Sequence, residues 1–312
     1  MTLLILMHYV ICIIRCISFG VLVMELIDKI QTISRWRRGD QRAPHKPLML
    51  LYALSQYKQG HERLFQFESE VDNQVKELLV QYGLSRKAYH PEYPFWRLAN
   101  EQDPFWELKN GEECIPRKSN TDPKKSELIK YNVMAGFDAN SYQNLISNPE
   151  LIDKIASKLI QDNFPDTLQE ELFVRFGFEV DTSTKQRDPN FRINVLRAYN
   201  YRCAVCGFDL ALDTVPVGIE AAHIKWKQYS GACEVSNGVA LCSIHHKALD
   251  KGVIAFNNDL KVQVSPAAMG GAMVEQLIWR YENKQISLPR EASLYPADNF
   301  VEWHVREVFK SS

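Results

Sequence analysis

Two short segments, Cys203-Ala204-Val205-Cys206-Gly207 and Cys242-Ser243-Ile244-His245, give the clearest structural signal in this 312-residue sequence. In each segment two residues separate a pair of metal-ligating side chains, and a long insertion lies between the segments. Three thiolates and one imidazole at this spacing can close a tetrahedral Zn²⁺ site, with one knuckle on each side of the ion. The pattern therefore predicts a structural zinc held by Cys203, Cys206, Cys242 and His245.

The composition places this zinc element in an ordinary globular protein. Hydrophobic residues make up 46% of the chain and charged residues 24%, and the length fits two domains or one large domain with a small module. The formal net charge of -1 excludes a wholesale polycation but not a local basic face that attracts phosphates. The cysteine count of 7 is odd, which suits a reducing cytoplasm with one metal site better than a disulfide framework. Four cysteines lie apart from the zinc segments: Cys12, Cys16, Cys114 and Cys233.

The first 23 residues form a separate apolar stretch. From residue 3 to residue 23 it is long enough to cross a bilayer, so a membrane anchor is one interpretation. Arg15 lies in the middle of the stretch, where a charge is costly, and no basic cluster precedes it as in a signal peptide. A helical stripe begins after Met24. We therefore expect residues 1–23 to lie upstream of the true start at Met24, and we expect a cytoplasmic protein, with membrane anchoring as the alternative.

Apolar periodicity divides the rest of the chain into an α+β arrangement. Helices and short strands are mixed in residues 24–140, and helices follow in a connector at residues 141–180. Residues 181–188 are polar and form the predicted linker. Residues 189–312 begin with a helix that leads into the first zinc knuckle and end with further short helices.

Three segments around the second knuckle carry a family resemblance. They are Glu220-Ala221-Ala222-His223-Ile224, Asn237-Gly238-Val239-Ala240-Leu241 and His246-Lys247-Ala248-Leu249-Asp250. They resemble the HNH, or ββα-metal, nucleases, in the subgroup in which a zinc staple surrounds the catalytic motif. The likeness covers about residues 188–253 and includes Arg187-Asp188-Pro189-Asn190-Phe191-Arg192 before the first cysteine pair. It implies a C-terminal HNH domain that hydrolyses DNA phosphodiester bonds.

The chemistry of that reaction assigns expected roles to the matching residues. Histidine is the side chain that ordinarily titrates near neutral pH, so His223 is the expected base that deprotonates water. Asn237 would orient this imidazole through a hydrogen bond. His246 and Asp250 are four residues apart on a helix, so they share one face and would bind a catalytic Mg²⁺ or Mn²⁺, distinct from the zinc. Ala222 departs from the family, because many HNH nucleases place a metal ligand directly before the catalytic histidine.

A second resemblance covers the N-terminal part. Arg42-Ala43-Pro44-His45-Lys46-Pro47-Leu48 and Tyr93-Pro94-Phe95-Trp96-Arg97-Leu98 resemble the sulfur-binding domain of phosphorothioate-dependent type IV restriction endonucleases, in which such a domain precedes an HNH domain. The likeness covers about residues 25–120 and implies an N-terminal mixed α/β domain that reads DNA. From its prolines, we expect the segment at residues 89–98 to be a loop leading into a strand.

A phosphorothioate carries sulfur in place of a non-bridging phosphate oxygen. Sulfur is larger, softer and more weakly hydrated, so an apolar concavity accepts it at a smaller desolvation cost. The resemblance implies that Tyr93 and Pro94 line this concavity. Arg97 stands where the family often has a small pocket residue.

The same resemblance implies further DNA contacts. Arg42 and Lys46 would bind backbone phosphates, and His45 would reach a base edge. Trp96 is a candidate for base stacking.

Together these features predict a modification-dependent DNA endonuclease that binds phosphorothioated double-stranded DNA and cuts it by a one-metal HNH mechanism, in defence against modified foreign DNA. It would need no small-molecule cofactor. A homodimer is a further candidate partner, because cutting both strands usually takes two active sites. One alternative is an HNH endonuclease that reads a methylated base in an aromatic cage of Trp36, Trp96 and Trp106. Another is a non-catalytic zinc-containing DNA-binding protein, in which His223→Ala would leave function intact.

Overall fold

The computed structural model describes residues 25–33, 37–38, 41–42, 44–114, 122–179 and 189–311 of the chain. The predictions for residues 1–23 and for the linker at residues 181–188 lie outside these ranges. Among the described residues, no helix has the length and apolar character needed to span a bilayer.

The N-terminal core forms around one buried helix. Helix α1 spans residues 25–31, and the antiparallel hairpin of β1 (Arg37–Arg38) and β2 (Gln41–Arg42) leads to α2 (His45–Lys58). Helix α2 is apolar on nearly every side, with Met49, Leu50 and Leu51 fully buried. A helix of this kind cannot remain at a surface, so the neighbouring helices pack around it.

A small sheet and three helices also pack on this core. Strands β3 (Phe65–Gln66), β4 (Trp106–Lys109) and β5 (Met134–Phe137) form an antiparallel sheet in the order β3-β5-β4. A π-helical turn at Phe67–Val71 runs into α3 (Asp72–Tyr82), and α4 (Glu92–Arg97) and α5 (Lys125–Lys130) follow. The expected loop and strand at residues 89–98 is wrong, because this segment forms α4. Pro91 precedes the helix and Pro94 lies in its first turn, where a missing N–H costs nothing.

Three helices at residues 139–176 pack on the same core. They are α6 (Ala139–Ser147), α7 (Pro149–Asn163) and α8 (Asp166–Phe176). The Asp138 carboxylate caps α6 by accepting hydrogen bonds from the N–H groups of Asn140 and Ser141, and Pro149 opens α7. Their apolar faces share one hydrophobic cluster with α2.

The C-terminal half contains the hairpin and helix expected of a ββα unit. Helix α9 (Pro189–Ala198) precedes the short pair β6 (Ala211–Leu212) and β7 (Val215–Pro216), and then come β8 (Ile219–His223), β9 (Gly238–Cys242) and α10 (Ser243–Asp250). Strands β8 and β9 are antiparallel, with His223 opposite Gly238. A Cβ at Gly238 would lie 2.4 Å from Val195 Cγ2, so only glycine lets β9 approach α9 this closely.

Two more strands and two helices finish the fold. Strands β10 (Ile254–Phe256) and β11 (Val262–Val264) pair antiparallel, and α11 (Ala272–Leu277) and α12 (Asp298–Glu307) follow. Helices and small sheets therefore coexist in both halves, and the predicted α+β class is confirmed.

The two halves share a packed and hydrogen-bonded interface. Helix α8 packs against α10, and the side chains of Trp226, Tyr229 and Trp303 belong to the same hydrophobic cluster as the N-terminal core. Around this apolar contact, Lys251 Nζ donates to Glu171 Oε1 at 2.7 Å. The nuclease-like helix α10 is therefore held directly against the N-terminal half.

His304 on α12 gives this packing a pH dependence. It is fully buried, its Nε2–H donates to the Leu249 carbonyl at 3.0 Å, and burial lowers its pKa to about 4. Its ordinary pKa in the unfolded chain is about 6.5. Between these values the unfolded state binds a proton that the native state does not, so the free energy of unfolding falls as the pH falls.

We expect His304 to contribute a loss of about 2 kcal/mol between pH 7.5 and pH 5. Urea unfolding at the two pH values measures the loss, and the His304→Gln variant should show a correspondingly smaller one. An unchanged pH dependence in the variant would contradict the assignment.

Candidate active site and DNA-reading surface

The four predicted zinc ligands converge on one point. Their ligand atoms all lie within 4.8 Å of one another. The His245 Nδ1 atom is 3.5 Å from Cys203 Sγ and 3.1 Å from Cys242 Sγ, and the Sγ atoms of Cys206 and Cys242 are 4.0 Å apart. Ligands of a tetrahedral zinc are about 3.5–3.8 Å apart, so the cluster fits this ion. The predicted Cys3His group is thus confirmed as a spatial cluster.

Local backbone structure explains why these residues meet. The Gly207 N–H donates to the Cys203 carbonyl at 2.8 Å with a φ of 75°, which closes the first knuckle in a conformation that favours glycine. The Ala204 N–H donates to the Ala240 carbonyl at 2.8 Å and so ties this knuckle to β9. His245 Nε2–H donates to the Leu277 carbonyl at 2.8 Å, which leaves Nδ1 directed at the thiols.

His223 lies at the end of β8 with its ring held between two elements. The ring stacks on Phe191 of α9, with the centroids 3.8 Å apart and the planes at 14°. Its Nε2 atom is 3.6 Å from Cys233 Sγ in the loop that follows β8. The sequence analysis gave Phe191 no role at the site and placed Cys233 apart from the zinc segments, so both contacts were missed. Phe191 belongs to a segment that carries the family resemblance, but nothing in that segment or around Cys233 indicates a contact with His223.

Asn237 is fully buried and braces the loop between β8 and β9. Its Oδ1 accepts a hydrogen bond from the Lys225 N–H at 2.8 Å, and its Nδ2 donates to the carbonyls of Lys225 at 3.0 Å and Ala232 at 2.9 Å. The expectation that this amide holds the His223 imidazole directly differs from these contacts, because both Nδ2 hydrogens and Oδ1 bond to main-chain groups. The main-chain carbonyl of Asn237 accepts a hydrogen bond from the Ile224 N–H at 2.9 Å. Asn237 therefore fixes the backbone next to His223.

His246 on α10 lies between two carboxylates. Its Nδ1 is 2.6 Å from Glu220 Oε2, and its Nε2 is 3.4 Å from Asp250 Oδ2. Burial disfavours the charged imidazole, but Asp250 and Glu220 outweigh it and raise the pKa of His246. Asp250 is itself engaged, since Oδ1 accepts from Trp226 Nε1 at 3.0 Å and Oδ2 accepts from the Thr167 hydroxyl. The structure thus brings the predicted pair together and adds Glu220, which the sequence did not single out.

Tyr93 and Pro94 lie on α4, with Pro94 buried and Tyr93 half-buried. The His90 ring stacks on Tyr93 with the centroids 4.7 Å apart, and the Arg97 guanidinium carbon lies 4.6 Å from the centre of the same ring. Arg97 Nε donates to Asp122 Oδ2 at 2.8 Å, so an ion pair holds the guanidinium. Arg97 therefore lies against the ring of Tyr93 and is anchored there.

His45 is the first residue of α2, and Arg97 of α4 is close enough to affect its charge. Burial, together with the positive charges of Arg86 and Arg97, lowers its pKa to about 4. The ring is therefore neutral at pH 7 and offers hydrogen bonds without charge. Lys46 pairs with Glu101, and Arg86, which the sequence did not single out, pairs with Glu307 of α12 at 2.9 Å.

The remaining predicted DNA contacts and the aromatic cage have mixed outcomes. Arg42 lies in β2, and its side chain is outside the described part of the structure. Trp96 is half-buried and packs on the N-terminal core. Trp106 is buried in that core and donates to the Phe95 carbonyl at 3.1 Å, and Trp36 lies outside the described residues. Trp106 is thus not exposed for a base cage.

Comparisons with known proteins give matches in both halves. A family model described as ScoMcrA-like, DNA sulfur-binding domain matches residues 23–181, and one described as HNH endonuclease matches residues 203–257. A search of curated proteins gives no match.

Solved structures also match the chain. The sulfur binding domain of ScoMcrA complexed with phosphorothioated DNA is 25% identical, with 48% of this chain and 95% of that chain covered and a TM-score of 0.41. The type IV phosphorothioation-dependent restriction endonuclease ScoMcrA is 22% identical, with 55% and 38% covered and a TM-score of 0.41. The sulfur binding domain of SprMcrA complexed with phosphorothioated DNA is 17% identical, with 50% and 93% covered and a TM-score of 0.40.

Proposed function

Because the chain belongs to the ScoMcrA-like DNA sulfur-binding domain family and carries an HNH endonuclease domain behind it, we propose that it is a phosphorothioate-dependent DNA endonuclease. Both halves of the sequence-based identification are confirmed by these matches. The observation that carries the proposal is their combination in one chain, with His223, Asn237 and His246 on a ββα unit that packs against the reading half.

The nuclease half supplies the groups that hydrolysis requires. His223 acts as the general base that takes a proton from the attacking water. Stacking on Phe191 fixes the plane of the ring, and Asn237 acts as a positioning residue through the backbone beside it. A divalent cation at His246, Mg²⁺ or Mn²⁺, would stabilise the negative charge that develops on the phosphate. The Cys3His cluster would hold a structural zinc that fixes β9 and α10.

The N-terminal half, which is the proposed DNA-reading half, has an aromatic side chain, Tyr93, close to the positive charge of Arg97. Tyr93 and the buried Pro94 provide apolar contact for a weakly hydrated sulfur, and Arg86 and Arg97 lie near enough to His45 to lower its pKa. We assign Lys46 and Arg42 to contacts with backbone phosphates and His45 to a base edge. Trp96 is assigned to base stacking. Because one HNH match lies in the chain, a double-strand break takes two chains or two successive binding events.

The first test compares two duplexes of one sequence, with and without a phosphorothioate. We expect the full chain with Mg²⁺ or Mn²⁺ to bind and cut the modified duplex alone. Tyr93→Ala should weaken binding of the modified duplex about tenfold, because the ring no longer covers the sulfur, and tenfold corresponds to about 1.4 kcal/mol. Tyr93→Phe keeps the ring and is the matched control. Gel shifts and single-turnover cleavage supply the measurements.

Each contrary outcome identifies the half that is wrongly assigned. Equal cleavage of both duplexes would support the nuclease assignment and contradict the proposed specificity for sulfur. Binding of the modified duplex without cleavage in either metal would retain the reader and remove the catalytic assignment.

A further inference from the structure

Ala222 occupies the position directly before His223, where the family resemblance predicts a ligand for the catalytic cation. Its methyl group cannot bind a cation, and it is fully buried on β8. We infer that Glu220 supplies the missing oxygen ligand, that it shares the divalent cation with Nδ1 of His246, and that Asp250 is a positioning residue behind the ring. This inference rests on the proposed metal-dependent nuclease function.

Strand geometry puts Glu220 on the required side of β8. Residues two apart on a strand point to the same face, so Glu220 and Ala222 share one. The contacts of Glu220 show which element that face meets. Its Oε1 accepts from the Ser243 hydroxyl at 2.9 Å and its Oε2 lies 2.6 Å from His246 Nδ1, and both partners belong to α10. The carboxylate thus reaches the space between hairpin and helix that a ligand at residue 222 would enter.

The separation of the two atoms suits a shared ion after a small adjustment. Two ligands at right angles on one octahedral cation are about 3 Å apart. The 2.6 Å contact between Glu220 Oε2 and His246 Nδ1 has to open by only a few tenths of an ångström. The Glu220 side chain is 41% exposed, so waters and a DNA phosphate can complete the coordination. A nitrogen and an oxygen ligand together suit Mn²⁺ better than Mg²⁺, which favours an all-oxygen shell.

Asp250 lies on the closed side of the His246 ring. Its side chain is 2% exposed, and its oxygens accept hydrogen bonds from Trp226 and Thr167. Its Oδ2 lies 3.4 Å from His246 Nε2, on the side of the ring away from Glu220, so in the proposed arrangement it holds the proton on Nε2 and leaves Nδ1 for the cation. Carboxylates that hold metal-bound histidines in this way fix both tautomer and ring orientation.

Mn²⁺ affinity of the full zinc-loaded chain tests the ligand pair without reference to cleavage. Titration followed by electron paramagnetic resonance should show Glu220→Gln binding Mn²⁺ at least tenfold more weakly than the parent. Glu302→Gln, which removes an exposed carboxylate on α12, should bind as the parent does. Zinc content should be equal in all three proteins. Parent-like Mn²⁺ affinity in Glu220→Gln would overturn the inference.

A second measurement tests the role of Asp250. In ¹⁵N-histidine spectra of the Mg²⁺-loaded protein, His246 should keep its proton on Nε2, and a proton on Nδ1 would overturn the assignment. The two levels of the proposal fail separately. If the parent cuts DNA while Glu220→Gln binds Mn²⁺ normally, the ligand pair is wrong and the nuclease stands. If the parent binds Mn²⁺ through Glu220 but cuts no duplex, the ligand pair stands and the nuclease function is wrong.

Discussion

His223→Ala should lower the rate of DNA cleavage about 10³-fold, within the range that loss of a general base produces, and leave affinity for the phosphorothioated duplex unchanged. The reading surface on α2 and α4 is formed by other residues, so binding does not depend on this ring. The imidazole lies at the end of a strand and contributes a stacking contact with Phe191. Removal of the ring should therefore change the free energy of unfolding only slightly.

Single-turnover cleavage at saturating enzyme, with a gel shift on the same duplex, separates the two effects. Added imidazole should restore part of the cleavage rate, because a small base can enter the space that the ring leaves. Cys233→Ser is the matched control, since it alters the neighbour of His223 Nε2 and keeps the base. Full activity in His223→Ala would mean that another group is the base or that the zinc frame serves only to bind DNA.

Cys206→Ser should remove the zinc and unfold the C-terminal half at room temperature. Structural zinc contributes about 10–16 kcal/mol in small zinc-binding peptides, as much as the whole stability of a typical domain. The ligand connects the first knuckle to β9 and α10, where Cys242 and His245 lie. Loss of one thiolate therefore releases the strand and the helix that carry the proposed active site.

Metal analysis and thermal melting measure this effect, with chelator treatment of the parent as a second route to the same state. Cys233→Ser is the control here as well, because Cys233 is exposed and lies outside the cluster. It should retain a full complement of zinc and melt as the parent does. A Cys206→Ser protein with normal zinc content and melting temperature would contradict a structural role for this site.

Local patterns explain which parts of the site the sequence predicts. The zinc cluster depends on two two-residue gaps, one closed by a knuckle at Cys203–Cys206 and the other spanning the junction of β9 and α10, so spacing alone identifies its four members. Strands β8 and β9 and helix α10 lie beside the zinc ligands in the sequence, and the family resemblance predicts them as a ββα unit. Helix α4 shows the limit of local reasoning, because Pro91 and Pro94 indicated a loop and instead occupy positions that a helix start accepts.

Contacts between distant segments explain what the sequence could not predict. Phe191 stacks on His223 across 32 residues of chain, a span that no short motif covers. Glu220 meets His246, and Thr167 meets Asp250, only after the hairpin, α8 and α10 have packed together. Asn237 lies directly before β9, and its hydrogen-bond partners depend on how the loop closes around it.

The hydrogen bond from Thr167 to Asp250 makes the nuclease half dependent on a helix outside it. A chimera that joined residues 189–312 to an unrelated DNA reader would lose this hydroxyl and leave the indole rings of Trp226 and Trp303 facing water. Helix α8 would have to be transplanted together with the nuclease half to keep the site intact. In this chain a change of DNA specificity is therefore easier to make on the surface of α2 and α4 than by replacing the whole N-terminal half, because the latter removes the interface at α8.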